Sequence, residues 1–128
     1  MRAAIVFLLA MLSAVATPAS AGWTFIGENN TGDQFFIDLS TLKKGARPRA
    51  WFMSNYSAKT KQGVLSSKIL READCREEKI RVLAARFYST PMGTGDLMFS
   101  IDESQEWTYV TPNTVEEEYA RTLCHGNR

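Results

Sequence analysis

The chain has 128 residues, 15 basic against 14 acidic, with two cysteines, one histidine and 45% hydrophobic residues. That length fits one domain of ordinary globular composition, and a net charge of +1 argues against a nucleic-acid ligand. Two cysteines and one histidine exclude a cysteine-rich scaffold and a four-cysteine zinc site, and leave little for histidine-based catalysis.

Met1-Arg2 opens the chain with a positive charge, and Ala3 to Val15 is apolar except for Ser13. Thr17-Pro18 breaks that run, and Ala19-Ser20-Ala21 has the small-residue spacing of a cleavage site. Residues 1–21 therefore read as a secretory signal peptide, since the run is short of the ~20 apolar residues a membrane span needs. Cleavage leaves one domain, residues 22–128, with no transmembrane segment and, once Arg2 is lost, no net charge. Export places the product in the periplasm or at the cell surface. In that oxidising setting Cys75 and Cys124 are expected to pair, and no C-x-x-C spacing favours a redox role instead.

Past residue 22 the segments are short, alternating and separated by turn residues, the pattern of antiparallel strands. Trp23 to Ile26 alternates and stops at Asn29-Asn30-Thr31-Gly32-Asp33; Phe35 to Leu39 follows. Lys43-Lys44-Gly45 turns the chain into a longer strand, about Arg49 to Ala58, and Lys61-Gln62-Gly63 closes a hairpin with Val64 to Arg71. Cys75 lies at the corner before Lys79 to Tyr88. A turn cluster at 91–96 precedes Leu97 to Ile101, and Trp107 to Val110 is a last extended piece. Thr-Gly-Asp at 31–33 and 94–96 reads as the same turn chemistry used twice.

The final segment is helical. Thr114 and Glu117 have the spacing of a capping box, Glu116 to Glu118 place negative charge in the first turn, and Val115, Tyr119, Thr122 and Leu123 share one side. Gly126 is placed to end it. About ten residues of helix are marginal alone. The expected fold is α+β: a single antiparallel sheet of about six strands, with a C-terminal helix packed on one face and tethered by the disulfide.

Charge order says more than charge sum. From Leu39 to Arg71 there are eight basic residues and no acid, whereas Glu72 to Glu118 holds eleven acids and four basic residues. Arg47, Arg49, Trp51, Met53, Lys59 and Lys61 are all odd-numbered, so a continuous strand would put them on one face, away from Ala50 and Phe52. Arg47, Arg49, Trp51, Lys59 and Lys61 thus form the candidate partner-binding face, suited to an acidic protein rim or an anionic polymer. The competing reading makes Trp51 and Met53 a second core or dimer contact with solvated basic ends.

Catalytic constellations do not emerge. Asp102, Glu103, Glu106 and Glu77-Glu78 are carboxylates without a visible cleft, and His125 beside Cys124 lacks co-ligands at metal spacing. No nucleophile elbow or phosphate-binding glycine loop occurs. The expectation is a protein without enzymatic activity, metal or cofactor.

Several features recur in a recognisable order: Trp23, Phe36-Ile37-Asp38 with Ser40, Trp51, and Ser67-Lys68 ahead of Asp74-Cys75. Arg81, Tyr88-Ser89, Met92-Gly93, Gly95, Trp107 with Pro112, and Cys124 complete the set. Across residues 23–124 this resembles the surface-adhesin protein E family of small exported bacterial proteins. The resemblance implies the same sheet, helix and Cys75–Cys124 tether, together with dimerisation and binding of host extracellular-matrix and plasma proteins. The leading expectation is a non-catalytic exported binding protein of adhesin type. The alternative is a periplasmic inhibitor or envelope-assembly factor acting on one protein partner.

Overall fold

The computed structural model describes residues 22–125; the expected signal peptide and Gly126 lie outside them. One antiparallel sheet runs through β1 (Trp23–Glu28), β2 (Gln34–Lys43), β3 (Arg49–Asn55), β4 (Ser66–Asp74), β5 (Lys79–Thr90) and β6 (Thr94–Ile101), each strand beside its sequence neighbour. A two-residue β7 (Thr108–Tyr109) pairs with the start of β5, while β6 pairs with its second half. The last element is α1 (Val115–His125).

Strand alternation sorts the residues onto two faces. Under α1 lie Phe35, Ile37, Ala50, Phe52, Ala73 and Ile80, packed against Tyr119 and Leu123 of the helix. The Tyr119 ring sits 4.6 Å from that of Phe52 and 6.2 Å from that of Phe35. Full burial of each large side chain contributes about 1.5–3 kcal/mol, which is how an eleven-residue helix becomes stable here. The disulfide joins Cys75, just past β4, to Cys124 in the last helical turn.

Three local expectations change. First, the capping box is only half built. Thr114 Oγ1 is 3.4 Å from the Glu117 amide but donates at 2.6 Å to the Thr111 carbonyl, and the Glu117 carboxylate turns to Arg121 at 3.0 Å. Second, β3 ends at Asn55 rather than Ala58. The Ser57 amide donates to Asp33 Oδ1 at 2.9 Å, pulling the chain towards the β1–β2 turn and out of strand geometry. Third, the glycine-rich cluster after β5 does more than reverse the chain. Its 3-10 turn, Pro91–Gly93, packs on β3 and β4 on the face opposite α1. There the Met92 amide donates to Asn55 Oδ1 and the Gly93 amide to Ser66 Oγ, both at 2.8 Å. The two Thr-Gly-Asp copies consequently serve different structures: the first is a hairpin turn, the second opens β6.

Candidate binding face

The register writes three rows of side chains across the face opposite α1. One runs Phe25, Phe36, Met53, Lys68, Arg86; the next Trp23, Asp38, Trp51, Leu70, Ala84. The third runs Lys43, Arg49, Glu72, Arg81. Residues directly opposite one another on adjacent strands are in contact range, so each row is a physical ladder.

Trp51 stands opposite Asp38 in regular register, and just past that pair β2 bulges before Lys43 meets Arg49. Polar side chains hold that bulge. Asp38 Oδ1 accepts from the Ser40 amide at 3.0 Å and from its hydroxyl at 2.6 Å. The Thr41 hydroxyl donates to the Asp38 carbonyl at 2.7 Å and accepts from the Trp51 amide at 3.0 Å. The result is a shallow depression of about 440 Å³ lined by Ser40, Thr41, Lys43, Arg49, Trp51 and Leu70.

Beside it stands a guanidinium–indole cluster. Arg81 Cζ is 4.4 Å and Arg47 Cζ 5.4 Å from the centre of the Trp107 ring. Glu72 Oε1 accepts from both Arg81 Nε, at 3.0 Å, and Arg81 Nη2, at 2.8 Å. Arg47 Nε lies 3.7 Å from Asp74 Oδ2 and keeps most of its side chain in solvent. Stacked guanidinium groups still present free N–H donors outward, and their orientation is set before any partner arrives.

Of the five residues expected to form the binding face, Arg47, Arg49 and Trp51 come together at this end of β3. Lys59 and Lys61 do not join them. Both are exposed in the 56–65 connection, beyond the other end of β3, roughly 20 Å from Arg49 by strand rise. Met53 is fully buried, so it is not part of an open aromatic and thioether centre. The acid-free stretch nevertheless meets acids on the adjacent strand. β4 continues past Arg71 to Glu72 and Asp74, which stand opposite Arg49 and beside Arg47. The connection between β3 and β4 is ten residues long and carries the expected turn within it, the Gly63 amide donating to the Thr60 carbonyl at 2.9 Å.

Glu72, Arg81 and Trp107 were not singled out for this face, and their spacing along the chain carries no local signal. Only pairing β4 with both neighbours would have placed Glu72 between Arg49 and Arg81.

The other titratable groups are dispersed. Asp102 pairs with Arg86 at 2.6 Å, and Glu103 and Glu106 stand exposed on the connection to β7. Among the described residues no three His, Cys, Asp or Glu side chains are grouped to hold a metal ion. No described helix is long and apolar enough to cross a membrane. The Asp33 carboxyl is held below its ordinary range, chiefly by the Ser57 amide and then by Asn29. Burial pushes the Tyr119 hydroxyl up, with Arg71 pulling the other way.

The family model described as surface-adhesin protein E matches residues 23–125. Solved structures agree on the fold. A crystal form II structure of Haemophilus influenzae protein E superposes with a TM-score of 0.61 at 15% identity, covering 84% of this chain and 90% of that one. A second structure of Haemophilus influenzae protein E gives 0.62 at 13% identity, with 84% and 86% covered. No curated protein sequence matches the chain significantly.

Proposed function

The chain belongs to the surface-adhesin protein E family, and from that premise we propose that it is a non-catalytic exported protein that binds a protein partner through the Arg47, Arg49 and Trp51 end of its open face. One observation carries the reading: cations held ready on an aromatic ring border an aromatic depression. Arg and Trp are the residues that most often anchor protein interfaces, because they combine contact area with directed donors. Arg47 is the exposed member, while Arg81 and Glu72 brace the Trp107 ring behind it. An acidic edge on the partner would replace the loose Asp74 contact of Arg47 and meet Arg49 beside Trp51. Lys59 and Lys61 form a separate basic site at the far end of the sheet, available to steer approach but not to share the same contact.

The test is solid-phase binding of the mature protein to a panel of extracellular-matrix proteins, with heparin as the anionic-polymer control. Arg47→Glu with Arg49→Glu is expected to weaken matrix-protein binding at least tenfold and to flatten its salt dependence. Lys59→Glu with Lys61→Glu should change it less than threefold. Equal loss in both pairs, or binding to heparin alone, would reassign the activity to a diffuse polyanion surface. Unchanged binding in the first pair would remove this end of the sheet. Surface protease accessibility in the native cell separates outer-surface display from the periplasm. One stoichiometric envelope protein as the sole partner would favour the inhibitor or assembly-factor role.

A further inference from the structure

The helix covers only part of its own side of the sheet. Its core contacts are Phe35, Ile37, Ala50 and Phe52 on β2 and β3, with Ala73 and Ile80 around the β4–β5 corner. Cross-strand pairing continues that side past the helix in two regular rows, Phe52–Ile69–Ala85–Ile101 and Ser54–Ser67–Phe87–Phe99. Ile69 and Phe87 are half-buried, and on the last strand Phe99 and Ile101 are 42% and 37% exposed. A third row, Ala50–Arg71–Val82, brings one cation to the border of this apolar area.

That cation has no acid. The other half-buried arginines, Arg81 and Arg86, each hold a carboxylate, Glu72 at 2.8 Å and Asp102 at 2.6 Å. Among the described residues no carboxylate forms an ion pair with Arg71, and none of the three rows contains an acidic residue. Its guanidinium carbon lies 4.2 Å from the centre of the Tyr119 ring, and Nε is enclosed without an acceptor. The Tyr119 hydroxyl takes one of the five N–H donors. Stacking on the ring recovers part of the cost of covering a charge, but a guanidinium beside apolar surface is fully satisfied only by a carboxylate or a similar acceptor.

We propose that this part of the sheet docks a partner protein that presents a carboxylate to Arg71 and apolar side chains to Ile69, Phe87, Phe99 and Ile101. The unpaired cation selects the partner's charge, and the apolar rows select what surrounds that charge. Aromatic side chains around an arginine are the composition of interface centres. Small-molecule sites are concave, and the cavities at the start of α1, at the disulfide and beside Trp51 all lie elsewhere, so a protein surface is the better match. A second copy docked through the same area brings no carboxylate, because two-fold pairing sets each Arg71 against rows that contain none. Arg49 and Trp51 face the other side of the sheet, so occupying one surface leaves the other free.

A phage-displayed random dodecapeptide library tests this on the mature disulfide-bonded protein. The library is first depleted on an Arg71→Met, Ile101→Glu variant and then panned on the wild type. Enriched peptides should carry Asp or Glu beside apolar residues, and should shift the amide resonances of Ile69, Arg71, Phe87, Phe99 and Ile101. Amidating that acid in the peptide, Arg71→Met alone or Ile101→Glu alone should each weaken binding at least about tenfold. Far-UV circular dichroism of the variants should match the wild type; where Arg71→Met does not, Ile101→Glu, at an exposed position, replaces it in both steps. Arg47→Glu with Arg49→Glu should leave peptide binding unchanged, so this site and the binding face fail independently. No enrichment, enriched peptides without an acid, or equal binding to the variants overturns the proposal. So does a sedimentation result in which the wild type is a dimer and Ile101→Glu a monomer, which assigns the area to self-association.

Discussion

Replacing both Cys75 and Cys124 with alanine should lower stability by about 4 kcal/mol while leaving the native fold in place. The figure comes from the 49-residue separation of the bridge, through the loss of loop entropy in the unfolded chain. Domains of this size have about 5–15 kcal/mol in all, so the variant should still fold. The helix itself should stay docked, because Tyr119 and Leu123 are fully buried irrespective of the bridge. At about 4 °C per kcal/mol for roughly a hundred residues, the melting temperature should drop by about 16 °C. Thermal melts followed by far-UV circular dichroism, with the near-UV aromatic signal as a second probe, measure both quantities. A drop of less than about 4 °C would refute the loop-entropy reasoning. Loss of helical signal well before the sheet melts would show that the covalent tether, rather than apolar contact, holds α1 down.

Three further outcomes follow from named contacts. Tyr119→Ala should cost about 3–5 kcal/mol by chemical denaturation, since the ring fills the space between Phe35 and Phe52; Tyr119→Phe should cost about 1 kcal/mol, the worth of the hydroxyl's hydrogen bond with Ser54. Gly95→Ala should be costlier than Gly93→Ala. Both glycines have positive φ, but a Cβ at 95 would lie 2.5 Å from Thr90 Oγ1 and 2.8 Å from Ser89 Oγ, whereas at 93 it meets the flexible end of Lys68, which can move. Asp33 has a folded pKa below its unfolded value, so its stabilisation is complete above the unfolded value of about 4 and is lost as pH falls through the folded value. Acid titration below pH about 4 should therefore release the 56–63 connection, seen as faster amide exchange at Ser57, and Asp33→Asn should abolish that pH step.

The strand order, the terminal helix and the disulfide were legible because each rests on local pattern: alternation, turn residues, a 3.6-residue period and cysteine count in an exported chain. The face was legible only in part. Parity correctly joined Arg49 to Trp51, since both lie inside β3. It failed at Lys59 and Lys61 because Asp33, 24 residues from Ser57, decides where β3 stops. The charge pairing was hidden for a related reason: Glu72 and Asp74 become neighbours of Arg49 and Arg47 through cross-strand register, which a ten-residue connection leaves open. Burial of Met53 and Ser66 beside a turn some 25 to 40 residues further along is likewise invisible to any window of neighbouring residues.

The meander has a consequence for the order in which the molecule is completed. Every strand of the main path pairs with the one just before it, so a chain delivered N-terminus first into an oxidising compartment can add strands as they arrive. Cys75 enters at the β4–β5 corner while its partner is still 49 residues behind, in the last helical turn. Until then it is an open thiol on a half-finished sheet, able to form a mixed disulfide with an oxidant. With only two cysteines there is one intramolecular pairing to reach, and no wrong one to undo. Oxidation then becomes a completion signal: the bridge closes only after α1 has been delivered across its sheet. A chain truncated before residue 124 would lack that closure and keep a reactive sulfur, a chemical mark by which unfinished copies differ from finished ones.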